Sequence, residues 1–472
     1  MPSSETIEPD ADAPYVSRLV TDLRDATVSN RARSYGEAVA MTIERFLGRR
    51  MTLLERLRVA IAMIGPERWR ADAATPRVPI VDRAMSWPFL LDVYESLAAY
   101  VGDDQMRELN SYQIVGDKDL AGAWQGDFGK DPSVCLPWCV RALAAATTTR
   151  SLVETILRAA ALSGDPTLAR DARGAPYFGR ADVFVSYFWA APLSELLAAL
   201  DDGGGASTGA RFFWVDIFAV GQCKHTREAA AYNKADVNAF ETVLAAVGAT
   251  WLWCKPWHAP ATFGRVWCLF EALKTVDLGK ELVLVMAADE QAALRATLIE
   301  RFDDIMRILS SIDVATADAT NPDDKEFIFG LIGARDGGFA QFNADLTAAL
   351  RLWLLGAARA ALVAMTRERG DDDLEANLLR NNVARLLKDL GHYDEAEVMF
   401  RQALAIRKNA LGENHPDVAT SLNNLAVLLK VQGKLDEAEP MYRRALAIRK
   451  NALGANHPDV ATSLNNLAML LQ

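Results

Sequence analysis

The sequence predicts a multidomain chain, α/β in its middle and all-α elsewhere: a parallel α/β sheet domain flanked by helical regions, then a C-terminal α-solenoid. Three observations predict it. At 472 residues the chain is too long for one core, and that length implies about three domains. Four short β-branched or aromatic runs between 181 and 286 alternate with helical stretches, the pattern of a parallel sheet. The last quarter repeats almost verbatim with a period of 42 residues.

In chain order, residues 1–175 are predicted to be an α-helical region. The opening stretch MPSSETIEPDADAPYVSRLV is acidic and polar with no apolar core of signal-peptide type, the expectation for a cytoplasmic protein. Thr52 and Glu55 frame a capping box for MTLLERLRVAIAMI, and Gly65-Pro66 ends that helix. Further helices are predicted near 88–101 and 136–163. The linker SGDPTLARDARGAP leads into the α/β domain, residues 178–290. Its strands are read from ADVFVSYFW, RFFWVDIF, ATWLWC and ELVLVM, with helices in PLSELLAAL, over Phe240–Val247 and in RVWCLFEALK. Residues 291–365 form a helical connector, in which Asn321 caps and Pro322 opens a helix through Ile332. Residues 366–472 hold the repeats.

Composition narrows the function. Hydrophobic residues make up 51% and charged residues 24%, ordinary for a globular protein. A net charge of −11 without any Lys/Arg run argues against nucleic acid or an anionic membrane as the main partner. The most apolar window, 346–365, carries Arg351 and Arg359 and so reads as an amphipathic buried helix. Five cysteines, at 135, 139, 223, 254 and 268, are too few for a disulfide framework and fit a reducing compartment.

The repeats read as helical hairpins. In the second copy Leu422, Leu425, Ala426 and Leu429 fall at i, i+3, i+4 and i+7, one helical stripe. After Gly433 a second stripe runs through Ala438, Tyr442, Ala445 and Leu446; Gly454 ends that helix, and His457-Pro458 opens the next. Such hairpins bury their apolar faces only by stacking. The third copy stops after one helix and leaves Leu467, Met469 and Leu470 without a partner, as expected of a truncated gene product or fragment. The pattern LNNLA…G…DEAE…YRRALAIRK…LG..HPD resembles tetratricopeptide repeats of the long form found in kinesin light chains. That resemblance implies a concave groove lined by the first helices, where Asn side chains hold a partner peptide's backbone. Asn423 and Lys430 are seven apart and share a face away from the apolar stripe; Asn381 with Lys388, and Asn465, are their counterparts. Asn both donates and accepts, which suits a peptide amide, and Lys suits acidic ligand residues. The alternative is that Asn423 and Asn424 only knit helix to helix.

In the α/β domain, Asp182, Phe184, Ser186 and Tyr187 match the D-x-F-x-S-Y of a Toll-receptor-type (TIR) first strand, and Trp267, Cys268, Leu269 and Glu271 its WCLxE helix. About 110 residues resemble that family. The loop after WVDIFAVGQ departs from it, lacking Arg-Asp and Pro-Gly, and looks closer to fungal heterokaryon-incompatibility domains. In TIR domains that hydrolyse NAD⁺ the WCLxE glutamate is the catalytic carboxylate, so the resemblance implies that role for Glu271. Breaking the nicotinamide–ribose bond builds oxocarbenium-like charge that a carboxylate stabilises. Alternatively Glu271 is a surface residue three before Lys274, an i,i+3 ion pair. Asp216, where strand-end loops bind ligands in α/β sheets, and Trp267 are cofactor-binding candidates; their alternatives are strand capping and core packing.

No G-x-x-x-x-G-K-[ST] occurs, and the loop DDGGGASTGA misses the G-x-G-x-x-G spacing. Cys254, His258 and Cys268 fall short of a zinc set, so no metal is expected. The sequence reading is therefore a scaffold or signalling adaptor that binds a protein or peptide through its repeats, with the TIR-like domain as interaction or response module and a route to self-association. The alternative is an NAD⁺ hydrolase with Glu271 as catalyst. No cofactor is required, NAD⁺ being a substrate on the second reading. Neither nucleic acid nor membrane is an expected partner.

Overall fold

The computed structural model describes residues 50–64, 68, 77–101, 103–111, 151–202, 211–220, 235–236, 239–319 and 322–471. Outside them lie the predicted helix end at Gly65-Pro66, the stretch 136–150, the glycine-rich loop 203–210, the cap at Asn321, and Cys135, Cys139 and Cys223. The chain divides into two compact units, at Cys254/Lys255, Leu273/Lys274 and Ala287/Ala288.

The first unit opens with α1 (Leu53–Ile64), whose capping box forms as predicted: Thr52 N–H donates to Glu55 Oε2 at 2.8 Å, and Glu55 N–H to Thr52 Oγ1 at 3.4 Å. After β1 (Ala84–Ser86) come α2 (Trp87–Val101) and α3 (Leu152–Ser163). The sheet continues with β2 (Phe178–Gly179) and β3 (Val183–Ser186), then α4 (Leu193–Asp202) and β4 (Phe212–Trp214). Two helices follow, α5 (Asp216–Ala219) and α6 (Phe240–Ala246), then β5 (Ala249–Trp253), α7 (Val266–Asp277) and β6 (Glu281–Val285).

The six strands lie in the order β2-β1-β4-β3-β5-β6. The four predicted from sequence are parallel neighbours, in the order second-first-third-fourth of a doubly wound sheet. Val183–Ser186 and Ala249–Trp253 are buried at every position, as strands covered on both faces must be. Phe184 stacks on Trp214 at 5.0 Å between ring centroids, and Thr250 shares a 2.6 Å hydrogen bond with Thr275 in the last turn of α7.

Two strands correct the sequence reading. β1 arises in the stretch expected to be helical throughout, and pairs antiparallel with both β2 and β4, so the sheet is mixed. Three residues, Ala-Met-Ser, are too short to show any period. Gly179 of β2 lies so close to the Phe212 ring that a Cβ would stand 2.7 Å from it. The second predicted run, RFFWVDIF, is a strand only over Phe212–Trp214 and turns helical at Asp216.

The second unit holds residues 255–273 and 288–472. Its helices begin with α8 (Ala288–Glu300), α9 (Phe302–Ser310), α10 (Pro322–Gly333) and α11 (Gly338–Arg369). α11 is the one described helix long and apolar enough to cross a membrane. Its row Phe342, Leu346, Leu350, Leu354, Ala358 and Leu362 recurs every four residues and is buried inside the unit, as the amphipathic reading expects. The repeats are α12 (Leu374–Asp389), α13 (Tyr393–Leu411), α14 (Pro416–Val431), α15 (Leu435–Leu453) and α16 (Pro458–Leu471). Pro416 opens α14 as predicted from the His-Pro pairs, and Gly433 turns the chain between α14 and α15 with φ +78°. Leu425, Ala426 and Leu429 of the first-helix stripe are buried, whereas the second stripe shifts from Leu446, half-buried, to Ile448.

Candidate functional site

Two regions carry chemistry, one in each unit. In the first, β3 and β4 deliver polar side chains to their carboxyl ends, where doubly wound sheets bind ligands. Asp216 stands two residues past the end of β4. Its Oδ2 accepts the Trp189 indole N–H at 2.8 Å, its Oδ1 accepts Ile217 N–H at 2.7 Å, and the Tyr187 hydroxyl also donates to it. Tyr187 in turn shares a 2.8 Å hydrogen bond with Ser111. The local bond to Ile217 is the reason the predicted strand ends here, since Asp side chains offer the backbone an alternative to a ladder. Although the residue keeps an exposed edge, desolvation of its carboxyl outweighs these hydrogen bonds and pushes the pKa up to about 6. Such a carboxyl exchanges its proton near neutrality. On β3 the Ser186 hydroxyl is buried and meets no hydrogen-bond partner among the described residues.

Helix α7 places Glu271 half-buried, one turn before Thr275 and on the same helix face. Lys274, the expected i,i+3 partner of Glu271, pairs with Glu241 of α6 at 3.3 Å. Trp267 is held by Asp324 of α10, which accepts its indole N–H at 3.2 Å, and by an edge contact with Phe270. Cys254 and Cys268 are buried thiols that form no disulfide. Among the described residues no group of three or more His, Cys, Asp or Glu side chains could hold a metal ion.

The second region is the row of first helices in the repeats. Asn381 and Asn423 are buried, while Asn465 is exposed. The Asn381 Oδ1 accepts from Asn424 Nδ2 at 3.1 Å, and Asn423 Oδ1 from Asn466 Nδ2 at 2.9 Å, so each pair links one repeat to the next. These are helix-to-helix contacts of the kind that the alternative expects of Asn423 and Asn424. Lys388 lies half-buried beside Asp389 at 3.1 Å, and Lys430 donates to the Met469 carbonyl at 2.8 Å.

Sequence reasoning missed Asn382 and Arg385, one and four residues past Asn381. Asn382 Nδ2 donates to the main-chain carbonyls of Leu298 at 2.8 Å and Ile299 at 3.3 Å. Arg385 pairs with Asp303 and lies 4.6 Å over the Phe302 ring. The signal was present: every copy carries Asn as a doublet, and its second member entered the reading only as Asn424 of the knitting alternative. Two buried arginines were missed as well. Arg407 donates to Ser421 Oγ at 2.7 Å, and Arg449 to Ser463 Oγ at 2.8 Å. Burial pulls both guanidinium pKa values below the ordinary value.

The crystal structure of BtubC (BKLC) from P. vanneervenii is similar over 42% of this chain and 73% of that one, at 21% identity and a TM-score of 0.26. No curated protein matches the chain. The tetratricopeptide repeat family matches residues 374–451 and, overlapping them, 417–472. The C-terminal end of the chain, residues 374–472, is therefore a run of tetratricopeptide repeats.

Proposed function

We propose that this chain is a scaffold or signalling adaptor that captures a partner's peptide along the first helices of its repeats. Tetratricopeptide repeats generally bind protein or peptide partners, and solenoids bind along an extended concave surface. The observation that carries the reading is Asn382, whose side chain holds main-chain carbonyls from another segment, the contact a peptide backbone would make. On this reading Lys388, Lys430 and Asn465 complete the groove, and residues 178–290 form a TIR-like response module joined to it by 291–365. That module also associates with its own copies, and the protein works in the cytoplasm, a location supported by its sparse cysteines. A random peptide library panned on the purified full chain tests the reading. Enriched peptides should bind about tenfold more weakly, ~1.4 kcal/mol, to the Lys430→Glu and Asn465→Ala chains. Failure to enrich any peptide, or indifference to both substitutions, removes it.

A second reading, NAD⁺ hydrolysis at Glu271, is supported by the parallel strand order and by the place of α7 in the chain between β5 and β6. In it Glu271 stabilises the oxocarbenium-like ribose as nicotinamide departs, and water completes the hydrolysis. NAD⁺ consumption by the purified chain is compared with that of Glu271→Ala. Equal rates eliminate the role.

A further inference from the structure

We propose that the elbow between α8 and α9, Leu298–Asp303, is a resident ligand of the first groove position and closes that position to partners until the elbow is released. The proposal rests on the peptide-groove reading and adds regulation to it. The last carbonyls of a helix have no partner within it. Leu298 and Ile299 sit in the last turn of α8, and the Asn382 amide satisfies their carbonyls. Arg385 stands three residues further along α12, on the same face as Asn382. Its guanidinium pairs with Asp303 and covers the Phe302 ring, so one elbow engages Arg385 by charge and by cation–π contact.

The 42-residue period isolates what is special about this position. The counterparts of Asn382 are Asn424 and Asn466, and they donate to asparagine side chains of the preceding repeat rather than to main chain. The counterparts of Arg385 are Val427 and Met469, which carry no charge. The elbow therefore takes the place of a preceding repeat, and does so with the groups a peptide would bring: free carbonyls, an aromatic ring and a carboxylate. Phe302 is buried, while Asp303 is an exposed side chain at 74%, so the ion pair can be broken without opening the core. Only Met286 and Ala287 separate α8 from β6, so a pull on that strand reaches the elbow along the chain.

The test uses the full chain and a fluorescein-labelled synthetic peptide of residues 294–306, LRATLIERFDDIM, with affinity read by fluorescence anisotropy. The wild-type chain should bind it weakly, because its own elbow fills the position. Asp303→Arg sets like charges against each other and should tighten peptide binding about tenfold. The swapped pair, Asp303→Arg with Arg385→Asp, should close the position again and return binding to the wild-type level. Asp303→Asn, a milder change that keeps the fold, should give a smaller gain in the same direction. Equal affinity of the wild-type and Asp303→Arg chains, whether measurable or absent, overturns the proposal. That failure is separate from failure of the groove reading, in which library-selected peptides no longer depend on Lys430 and Asn465.

Discussion

Arg83 in the sheet unit reaches across 136 and 153 residues of sequence for Ala219 and Asp236, whereas in the repeats Arg407 finds Ser421 fourteen residues on and Arg449 finds Ser463 at the same spacing. Arg83, Asp236 and Glu154 are all buried, with Asp236 at 2.8 Å and Glu154 at 3.6 Å from the guanidinium. This staple occurs once and ties together segments that only the finished fold brings close. The contacts of the repeats occur in multiple copies, each made between neighbours in sequence. The Arg83 contacts are thus long-range and made once, whereas those of the repeats are short-range and made in copies. Damage should be felt accordingly.

The largest effect is expected where the polar group is unique. Asp236→Ala takes the nearer carboxylate, at 2.8 Å, from the buried Arg83 charge and should cost about 3 kcal/mol, read as a lower urea midpoint for loss of the sheet unit. If the loss were below about 1 kcal/mol, the staple would be no more than an exposed ion pair.

Asp216 gives the next effect, through pH. Its folded pKa, about 6, is above the ordinary 3.8, so between those values the folded state holds a proton that the unfolded state has lost. Stability from this group is therefore present below about pH 4 and is lost as pH rises through about 6. Asp216→Asn should flatten that slope and raise stability at pH 7.5 by about 1–2 kcal/mol, the full shift being discounted for the exposed edge of the residue. Denaturation midpoints at a series of pH values measure it, and an unchanged slope would place the carboxyl at an ordinary pKa.

The smallest effect belongs to the distributed contacts. Asn424→Ala removes one inter-repeat hydrogen bond and should cost about 1 kcal/mol, leaving the neighbouring Asn466–Asn423 pair intact. Hydrogen exchange would show opening confined to α12 and α14. Loss of protection throughout the repeats would show instead that the asparagines act as one cooperative ladder.

The same contrast explains what could be read from sequence. The repeats were legible because the apolar stripe of Leu425, Ala426 and Leu429 returns in each copy at the same spacing, and the four parallel strands because their runs are β-branched and aromatic with no helical period. β1 was not legible: its three residues acquire strand geometry only from β2 and β4 on either side. Among candidate residues, Asp216 was named from its place near a strand end, but the burial that raises its pKa, and the Trp189 and Tyr187 donors that oppose the rise, exist only in the folded chain. Ser186 had been read only as part of a motif, and its unsatisfied hydroxyl is visible only once the sheet is closed. Asn382 was hidden for a different reason. The period identifies which residues are equivalent, and Asn382 is unlike its equivalents because its acceptors belong to the non-repeating segment before it.

The arginine–serine and asparagine–asparagine spacings carry a consequence for how such an array grows. Each contact joins a residue to a partner 14 or 43 positions later, in register with the 42-residue period. A window of one period therefore brings with it one of every donor and one of every acceptor, wherever the window starts. Duplication or excision of such a window restores the same contacts at the new junction, whether the break falls in a loop or in the middle of a helix. The array can lengthen or shorten by unequal exchange with no need for a defined boundary, and the near-identity of its copies is what such exchange would leave behind.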